Sequence, residues 1–224
     1  MRQFAPLALE LTDIGRRFYA RGWALGTSGN FSAALSHHPL RLAITASSVH
    51  KGTLRSAHIL QVDDQGNVVG RGAGKPSAET LLHVEIMRRR GKSAGAVLHT
   101  HSIWSTILSG RQTIAHREGF WLEGFEMLKG LDGVRTHEHR EWIPIVENDQ
   151  DIKRLAGVVG KMLERNSDVH AFLLRRHGLY TWGATLGDAE RHVEILEFLF
   201  ETIGRTNTIN AADEEAYHGA VKDS

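Results

Sequence analysis

The sequence predicts a layered α/β fold, in which helices flank a largely antiparallel β-sheet. Apolar residues recur at three- and four-residue spacing over residues 7–18 and again beyond residue 185, which is typical of amphipathic helices. Between them lie short apolar runs bounded by glycine and polar residues, which are typical of strands. Two of these runs carry hairpin signals, which favours antiparallel pairing.

The helices are predicted from periodicity and from the residues at their ends. Pro76 and Ser77 mark the start of the second helix and Gly91 marks its end, because proline suits a first helical turn and glycine a helix terminus. Thr185 gives the last helix an N-cap-like start. The predicted helices span residues 1–20, 76–90, 102–110, 149–166 and 185–206.

The strands are predicted from apolar runs and turn residues. The sequence "VHAFLLRRHGLYTWG" indicates a hairpin with Gly178 near its bend, and Pro144 within "EWIPIVE" favours a strand at the edge of the sheet. Residues 111–141 carry weaker signals, apart from a helical turn over "EGFEMLKGL". The predicted strand segments are residues 26–35, 40–45, 58–70 as a hairpin, 95–101, 141–147 and 169–183.

The length and composition indicate one globular unit. At 224 residues with 41% hydrophobic content, the chain is long enough for one sizeable core. We expect residues 1–210 to form that single domain. Residues 211–224 are polar and rich in Ala, Asp and Glu, so their composition favours a disordered tail.

Charge and composition exclude several classes of function. The net charge is +1 and the one basic block, residues 88–90, is typical of a solvated helix end, so we expect no nucleic-acid partner. The chain has no cysteine, which excludes disulfides and leaves histidine, carboxylate or water as metal ligands. Glu10 and Asp13 interrupt the first apolar pattern, which excludes a signal-peptide core and a membrane span there. We therefore expect a cytoplasmic protein with no membrane partner.

Two histidines at the end of an apolar run, in "AVLHTHSIW", predict a metal site. Side chains alternate along a strand, so His99 and His101 point to the same face. A catalytic zinc site needs a third protein ligand, and His177 is the best candidate because it also follows an apolar run and precedes a glycine. Three imidazoles favour zinc over magnesium. His137 and His139 have the same spacing but charged neighbours, and we interpret them as an exposed loop.

Two stretches rich in hydroxyl groups, "GTSGNFS" and "TASSVHKG", predict an anion site. Hydroxyls and free backbone N–H groups in a glycine-bearing turn form a concave donor surface that suits phosphate. Neither stretch has the glycine spacing of a nucleotide-binding loop, and ordinary turn chemistry explains each of them equally well. The candidate donors are Thr27, Ser28, Gly29, Asn30 and Ser32 in the first stretch, and Thr45, Ser47, Ser48 and Lys51 in the second.

Two glutamates are candidates for the acid/base that a metal site beside a phosphate pocket requires. Glu79 lies at a helix start, where it could also complement the helix N-terminus. Glu126 lies between two glycines in an irregular region, with Glu123 close by in sequence. The residue pattern alone does not rank them.

Six motifs together resemble the class II aldolase and adducin-head family. In chain order they are "GTSGNFS", "ITASSVHKG", "GKPSAET", "AVLHTHS", "FEMLKGL" and "LLRRHGLYTWG". They extend from about Gly26 to the last long helix, which is most of the chain. Their number and order are far more specific than any one of them.

The resemblance implies a three-layer α/β/α sandwich around a largely antiparallel sheet, and a zinc-dependent enzyme acting on a small sugar phosphate. It implies a homotetramer with active sites near the subunit interfaces. It places the metal on His99, His101 and His177, and it places the phosphate group on Gly29, Asn30, Ser47, Ser48 and Ser77.

The family divides over the acid/base, and this chain carries both alternatives. Glu79 matches the carboxylate of the sugar-phosphate aldolases, whereas Glu126 resembles that of a dehydratase branch. The segment "EMLKGL" and the hairpin around His177 favour the dehydratase branch, with Glu126 as acid/base and Glu79 as a metal-proximal helper or the alternative base. An aldolase, a pentulose-phosphate epimerase and a non-catalytic adducin-type interaction domain are the alternatives.

Overall fold

The computed structural model describes residues 3–70, 74–111 and 118–222, with side chains described up to Thr206. Within these ranges, eight strands form one sheet in the order β3-β2-β1-β4-β8-β7-β6-β5. All neighbouring strands are antiparallel except β6 and β7, which are parallel. The strands are β1 (Asn30–His37), β2 (Leu40–Thr45), β3 (Ile59–Asp63), β4 (Ala96–Thr100), β5 (Gly119–Glu123), β6 (Arg140–Val146), β7 (Ala171–Leu174) and β8 (Gly178–Gly183).

Helices cover both faces of the sheet. They are α1 (Phe4–Ala20), α2 (Thr80–Arg90), α3 (Ile103–Gly110), α4 (Ile152–Arg165) and α5 (Leu186–Lys222). The buried residues of α2 and α4 share one apolar cluster with Val97 of β4, whereas those of α1 and the start of α5 share another with Leu98. Consecutive strand residues therefore face opposite helix layers, and the predicted α/β/α sandwich is confirmed.

The centre of the sheet is buried on both faces, which fixes where the functional residues lie. Every residue of β4 is buried, and the same holds for β7 and β8. A Cβ at Gly178 would collide with the carbonyl oxygen of Thr100, so only glycine lets the start of β8 pair against the end of β4. The β7–β8 bend is thereby held beside the histidines that end β4.

Two local predictions are wrong. Helix α2 begins at Thr80 and not at Pro76, because Pro76 forms a β-bridge with Ala46 and residues 77–79 form a turn before the helix. Strand β6 lies inside the sheet between β5 and β7, although Pro144 favoured an edge. Its pairing with β7 involves Ile145 and the residue after it, so the N–H that proline lacks falls outside that ladder.

Most of the other predicted elements agree with the structure. The second strand of the hairpin predicted over residues 58–70 is reduced to an isolated bridge between Val62 and Val68, and the last helix extends beyond its predicted end at residue 206. The "EGFEMLKGL" segment contains a short 3₁₀ helix, Glu126–Gly130, preceded by β5. Thr185 caps α5, since its hydroxyl accepts the backbone N–H of Asp188 while the Asp188 carboxylate accepts the N–H of Thr185.

The final helix runs past the predicted domain boundary at residue 210, to Lys222. The division into a domain of residues 1–210 and a tail of residues 211–224 stays a prediction. Among the described helices, none combines the length and the apolar character needed to cross a lipid bilayer.

Candidate metal centre

Strand β4 delivers two histidines to one face, as the alternation predicted. His99 is fully buried at the end of β4, and His101 follows directly after the strand. Their Nε2 atoms lie 2.8 Å apart. Thr100, between them, points to the opposite face, where its hydroxyl donates to Glu197. The two imidazoles are therefore aimed at one point.

The third histidine arrives from the β7–β8 bend. Arg176 there adopts a positive φ of 54°, which turns the chain sharply before Gly178. His177 Nε2 consequently lies 3.0 Å from His101 Nε2. The three histidines chosen from the sequence converge in the folded chain.

Glu79 completes the cluster from the N-terminus of α2. Its Oε2 lies 3.5 Å from His99 Nε2, and its Oε1 lies 3.3 Å from His177 Nε2. One ligand atom from each of Glu79, His99, His101 and His177 lies within 4.8 Å of every other. This is the one group of three or more such residues with metal-binding geometry within the described ranges.

The hydrogen bonds of His99 and His177 leave lone pairs facing the centre. His99 Nδ1 lies 2.8 Å from the carbonyl oxygen of Leu179, which only accepts, so Nδ1 holds the proton and Nε2 presents a lone pair. His177 Nδ1 likewise donates to Asn148 Oδ1 at 3.4 Å, which leaves the lone pair of His177 on Nε2. Desolvation by burial is the main cause that lowers the pKa of His99, His101 and His177. Neutral imidazoles with converging lone pairs are the donor set that zinc takes.

Further residues hold this set in place. The ring of Tyr180 stacks on His99, with centroids 3.9 Å apart. Asn30 donates to Glu79 Oε2 at 2.6 Å, and the ring of buried His83 bonds Asn30 Oδ1 in turn. Asn30 therefore orients the carboxylate of Glu79 toward the histidines.

A cavity of about 300 Å³ opens beside the histidines and contains most of the candidate phosphate ligands. Its lining includes Gly29, Asn30, Ser47, Ser48, Lys51, Ser77, Glu79, His101 and His177. Gly29 has a φ of +73°, and a Cβ there would lie 2.8 Å from the carbonyl oxygen of His99. Glycine at this position lets the loop approach the metal-binding strand.

Lys51 supplies a buried positive charge to this cavity. The residue is 1% exposed, and its Nζ donates to the carbonyl oxygens of Thr27 at 3.1 Å and Val49 at 3.0 Å. Burial lowers the pKa of Lys51 to about 8. An ammonium group has three N–H donors, so one of them is left for an anion in the cavity.

Glu126 lies apart from this cluster. It is exposed at the start of the 3₁₀ helix, where Lys129 Nζ lies 2.6 Å from its Oε1, and the described lining of the cavity does not include it. The hydrogen bond from Lys129 is the main cause that lowers the pKa of Glu126. The folded chain thus brings the three histidines, Glu79 and the phosphate candidates that line the cavity together and leaves Glu126 outside.

Sequence reasoning missed Asn148 and Tyr180. Asn148 belongs to residues 148–150, which line the cavity from the loop before α4. Tyr180 belongs to the hairpin motif "HGLYTWG", and alternation along β8 could have placed it beside β4. Asn148 carried no comparable signal, because its contact with His177 joins two segments 29 residues apart.

The chain matches a known protein family over most of its length. The family described as Class II Aldolase and Adducin N-terminal domain matches residues 9–203. A protein named methylthioribulose-1-phosphate dehydratase from Pseudomonas fluorescens (strain Pf0-1) is 45% identical over 203 residues, which cover 91% of this chain and 94% of the relative. A relative of the same name from Methylococcus capsulatus is 48% identical over 200 residues, covering 89% and 93% of the two chains.

Solved structures show the same fold. YgbL from Escherichia coli, a candidate aldolase/epimerase/decarboxylase, is 29% identical with a TM-score of 0.73, and the match covers 89% of each chain. L-fuculose-1-phosphate aldolase from Thermus thermophilus is 24% identical with a TM-score of 0.70, and the match covers 93% of this chain and 99% of that one. The chain therefore belongs to the class II aldolase and adducin N-terminal domain family.

Proposed function

We propose that the protein is a zinc-dependent methylthioribulose-1-phosphate dehydratase, a hydro-lyase of methionine salvage. It converts 5-methylthioribulose 1-phosphate into 2,3-diketo-5-methylthiopentyl 1-phosphate and water. The observation that carries this proposal is the convergence of three imidazoles and a carboxylate beside a cavity lined with hydroxyls and a buried lysine. Relatives that are 45–48% identical over about 90% of the chain bear the name of this enzyme.

The zinc ligands in this proposal are His99, His101 and His177. Zinc, when bound, acts as a Lewis acid that polarises the 2-keto group and makes the proton on C3 more acidic. Glu79 lies within reach of the same ion as a metal-proximal carboxylate, held by Asn30. These residues fix where the reacting carbons of the substrate lie.

The phosphate group is assigned to the far side of the same cavity. Backbone N–H groups around Gly29 and the hydroxyls of Ser47, Ser48 and Ser77 offer donors, and Lys51 adds a charge with one N–H left over. Binding the phosphate there orients the C3 hydrogen toward the base.

Proton transfer is assigned to Glu126. Glu126 takes the proton from C3, a carboxylic acid donates a proton to the C4 hydroxyl so that it leaves as water, and the resulting enol tautomerises to the diketone. Because Glu126 is exposed and outside the cavity of its own subunit, we propose that it acts at the metal centre of a neighbouring subunit in a homotetramer. Light scattering of the purified protein tests the tetramer, and cell fractionation tests the proposed cytoplasmic location.

A substrate panel tests the reaction. Zinc-loaded enzyme is incubated with methylthioribulose phosphate and, separately, with fuculose and ribulose phosphates. We expect diketone formation from the first and no aldehyde release from the others. Release of an aldehyde, or epimerisation of ribulose phosphate, contradicts the proposal.

The second candidate is a class II sugar-phosphate aldolase or pentulose-phosphate 4-epimerase. One observation favours this second candidate. Glu79, which matches the carboxylate of the sugar-phosphate aldolases, lies in the cluster with the three histidines, whereas Glu126 does not. The third candidate is a non-catalytic adducin-type domain. Metal analysis distinguishes this domain from the two enzymes. Purified protein without near-stoichiometric zinc favours that domain over both enzymes.

A further inference from the structure

A second cluster of histidines and carboxylates lies at the opposite end of β7 and β8 from the metal centre. His170 directly precedes β7, and its Nδ1 lies 3.0 Å from Oε2 of Glu141, which is 1% exposed on β6. The backbone N–H of His170 donates to the other oxygen of Glu141. The proposed reaction uses none of these groups.

The partners of His170 determine its charge. Its Nε2 lies 2.8 Å from the carbonyl oxygen of Asp132. A carbonyl and a carboxylate both only accept hydrogen bonds, so both ring nitrogens carry protons and the ring is an imidazolium. Burial is the largest single influence on the pKa of His170 and lowers it, but the hydrogen bonds and charge interactions with Glu141 and Asp132 together outweigh burial and leave the pKa raised.

The neighbouring His192 is neutral because one of its ring nitrogens donates a hydrogen bond and the other accepts one. Its Nδ1 lies 2.7 Å from the carbonyl oxygen of Trp182 and donates, while its Nε2 accepts the backbone N–H of Asp132 at 3.2 Å. Burial is the main cause that lowers the pKa of His192. His170 thus bonds the carbonyl of Asp132, and His192 bonds its backbone N–H. The first arrangement requires a charged imidazolium ring and the second a neutral ring.

These bonds fix the segment that follows Glu126. Arg191 donates to the carbonyl oxygen of Gly130 at 2.9 Å and to the carboxylate of Asp132 at 2.5 Å. Leu128 and Leu131 of the same segment are buried in the apolar cluster that includes part of α5. Residues 126–132 are therefore held by apolar contacts and by a polar clamp consisting of Glu141, His170, Arg191 and His192.

We infer that His170 is a positioning residue: by bridging Glu141 to the Asp132 carbonyl, it holds the Glu126-bearing segment in the orientation that proton transfer requires. This inference rests on the proposed function, because Glu126 is the acid/base there. A shift of about 1 Å in a catalytic group is enough to cost a large factor in rate. Loss of the bridge therefore lowers kcat without touching the metal ligands or the phosphate cavity.

The bridge depends on pH with a defined sign. A histidine whose pKa is raised in the folded chain contributes its full stabilisation below its ordinary pKa of 6.5 and loses it as the pH rises through the folded value. The titratable and charged groups that face His170 come from the elements packed around it and from its own loop. They are His139 and Glu141 at β6, Asp132 after the 3₁₀ helix, Arg191 and His192 of α5, Arg90 of α2, and Asp168 two residues before His170. Protection of residues 126–133 is thus expected to weaken above neutral pH.

The test compares His170→Gln with His139→Gln in the zinc-loaded protein. Both histidines lie within 3.0 Å of Glu141 Oε2, but only His170 reaches Asp132, so His139→Gln is the matched control. Hydrogen exchange measures the protection of the amides of residues 126–133, and kinetics give kcat and KM. We expect His170→Gln to lose protection in this segment alone and to lower kcat roughly tenfold, with KM and bound zinc unchanged. His139→Gln is expected to match the wild type.

Several results overturn the inference. These are unchanged protection and kcat in His170→Gln, a change in KM or zinc in place of kcat, or equal effects of the two substitutions. If His170→Gln does not fold, the wild type decides: its protection at residues 126–133, corrected for intrinsic exchange, must fall above pH 6.5 while that of α4 does not. A constant value contradicts the inference.

Glu126→Gln separates this inference from the proposed function. If Glu126→Gln retains full turnover while His170→Gln loses local protection, the assignment of the base is wrong and the clamp on the segment stands. If Glu126→Gln is inactive while His170→Gln keeps its kcat, the base stands and the positioning role is wrong.

Discussion

Replacing the buried carboxyl of Glu197 with an amide is expected to stabilise the protein selectively at alkaline pH. Glu197 lies on α5, 2% exposed, behind the metal-binding strand, and its Oε1 accepts the hydroxyl of Thr100 at 2.7 Å. Its Oε2 has no hydrogen-bond partner in the part of the chain that is described. Burial raises the pKa of Glu197 to about 7, and interactions with the hydroxyls of Ser102 and Thr100 offset only part of that rise.

The direction and size follow from linkage between protonation and folding. A carboxyl with a higher pKa in the folded than in the unfolded chain gives its full stabilisation below the ordinary value of 4.5, and this is lost as the pH rises through about 7. At about 1.4 kcal/mol for each pH unit between these two values, the loss amounts to about 3 kcal/mol. Glutamine keeps the shape of the side chain and does not ionise, so the variant escapes this loss.

Urea unfolding of zinc-loaded wild type and Glu197→Gln at pH 5 and pH 9 measures the effect. The free energy of unfolding of the variant minus that of the wild type is expected to rise by about 3 kcal/mol over this interval. Titration of the zinc ligands cancels in this difference, since both chains share them. Glu201→Gln, one turn further along α5 and half exposed, is the control. The charge of Glu201 is the smallest of the causes that act on the pKa of Glu197, so this variant is expected to show only a small part of the rise. A difference that stays constant for Glu197→Gln refutes the reasoning.

Other substitutions test the site itself. His177→Ala is expected to lose bound zinc and activity together while the far-UV circular dichroism stays that of a folded protein; a zinc-replete, active variant rules out the third ligand. Glu126→Gln should retain zinc and lose roughly 10²–10⁴-fold in turnover, and the base is misassigned if Glu79→Gln is the inactive variant instead. Lys51→Ala should raise KM about tenfold or more because a charged hydrogen bond to phosphate is lost, and an unchanged KM removes Lys51 from the phosphate site.

The sequence determined the features that depend on local order along the chain. Alternation along one strand was enough to place His99 and His101 on one face, since the side-chain period of a strand is 2. A layered α/β arrangement and the third candidate ligand, His177, were also accessible, because turn residues and apolar runs mark strand ends. The three-layer sandwich was implied by the resemblance to the family. Glu79 could be named as a candidate but not ranked against Glu126.

The tertiary structure decided which distant groups meet. The placement of β6 inside the sheet depends on how β5 and β7 pair with it, and a single proline carries no information about that. The contact of Asn148 with His177, the buried state of Lys51 and Glu197, and the bridge from His170 to Asp132 join residues that the sequence separates. Burial and charge state depend on all the atoms packed around a group. Sequence spacing therefore predicted which chemistry the chain carries, and only the folded chain showed that Glu79 faces His99, His101 and His177 while Glu126 lies exposed outside the cavity.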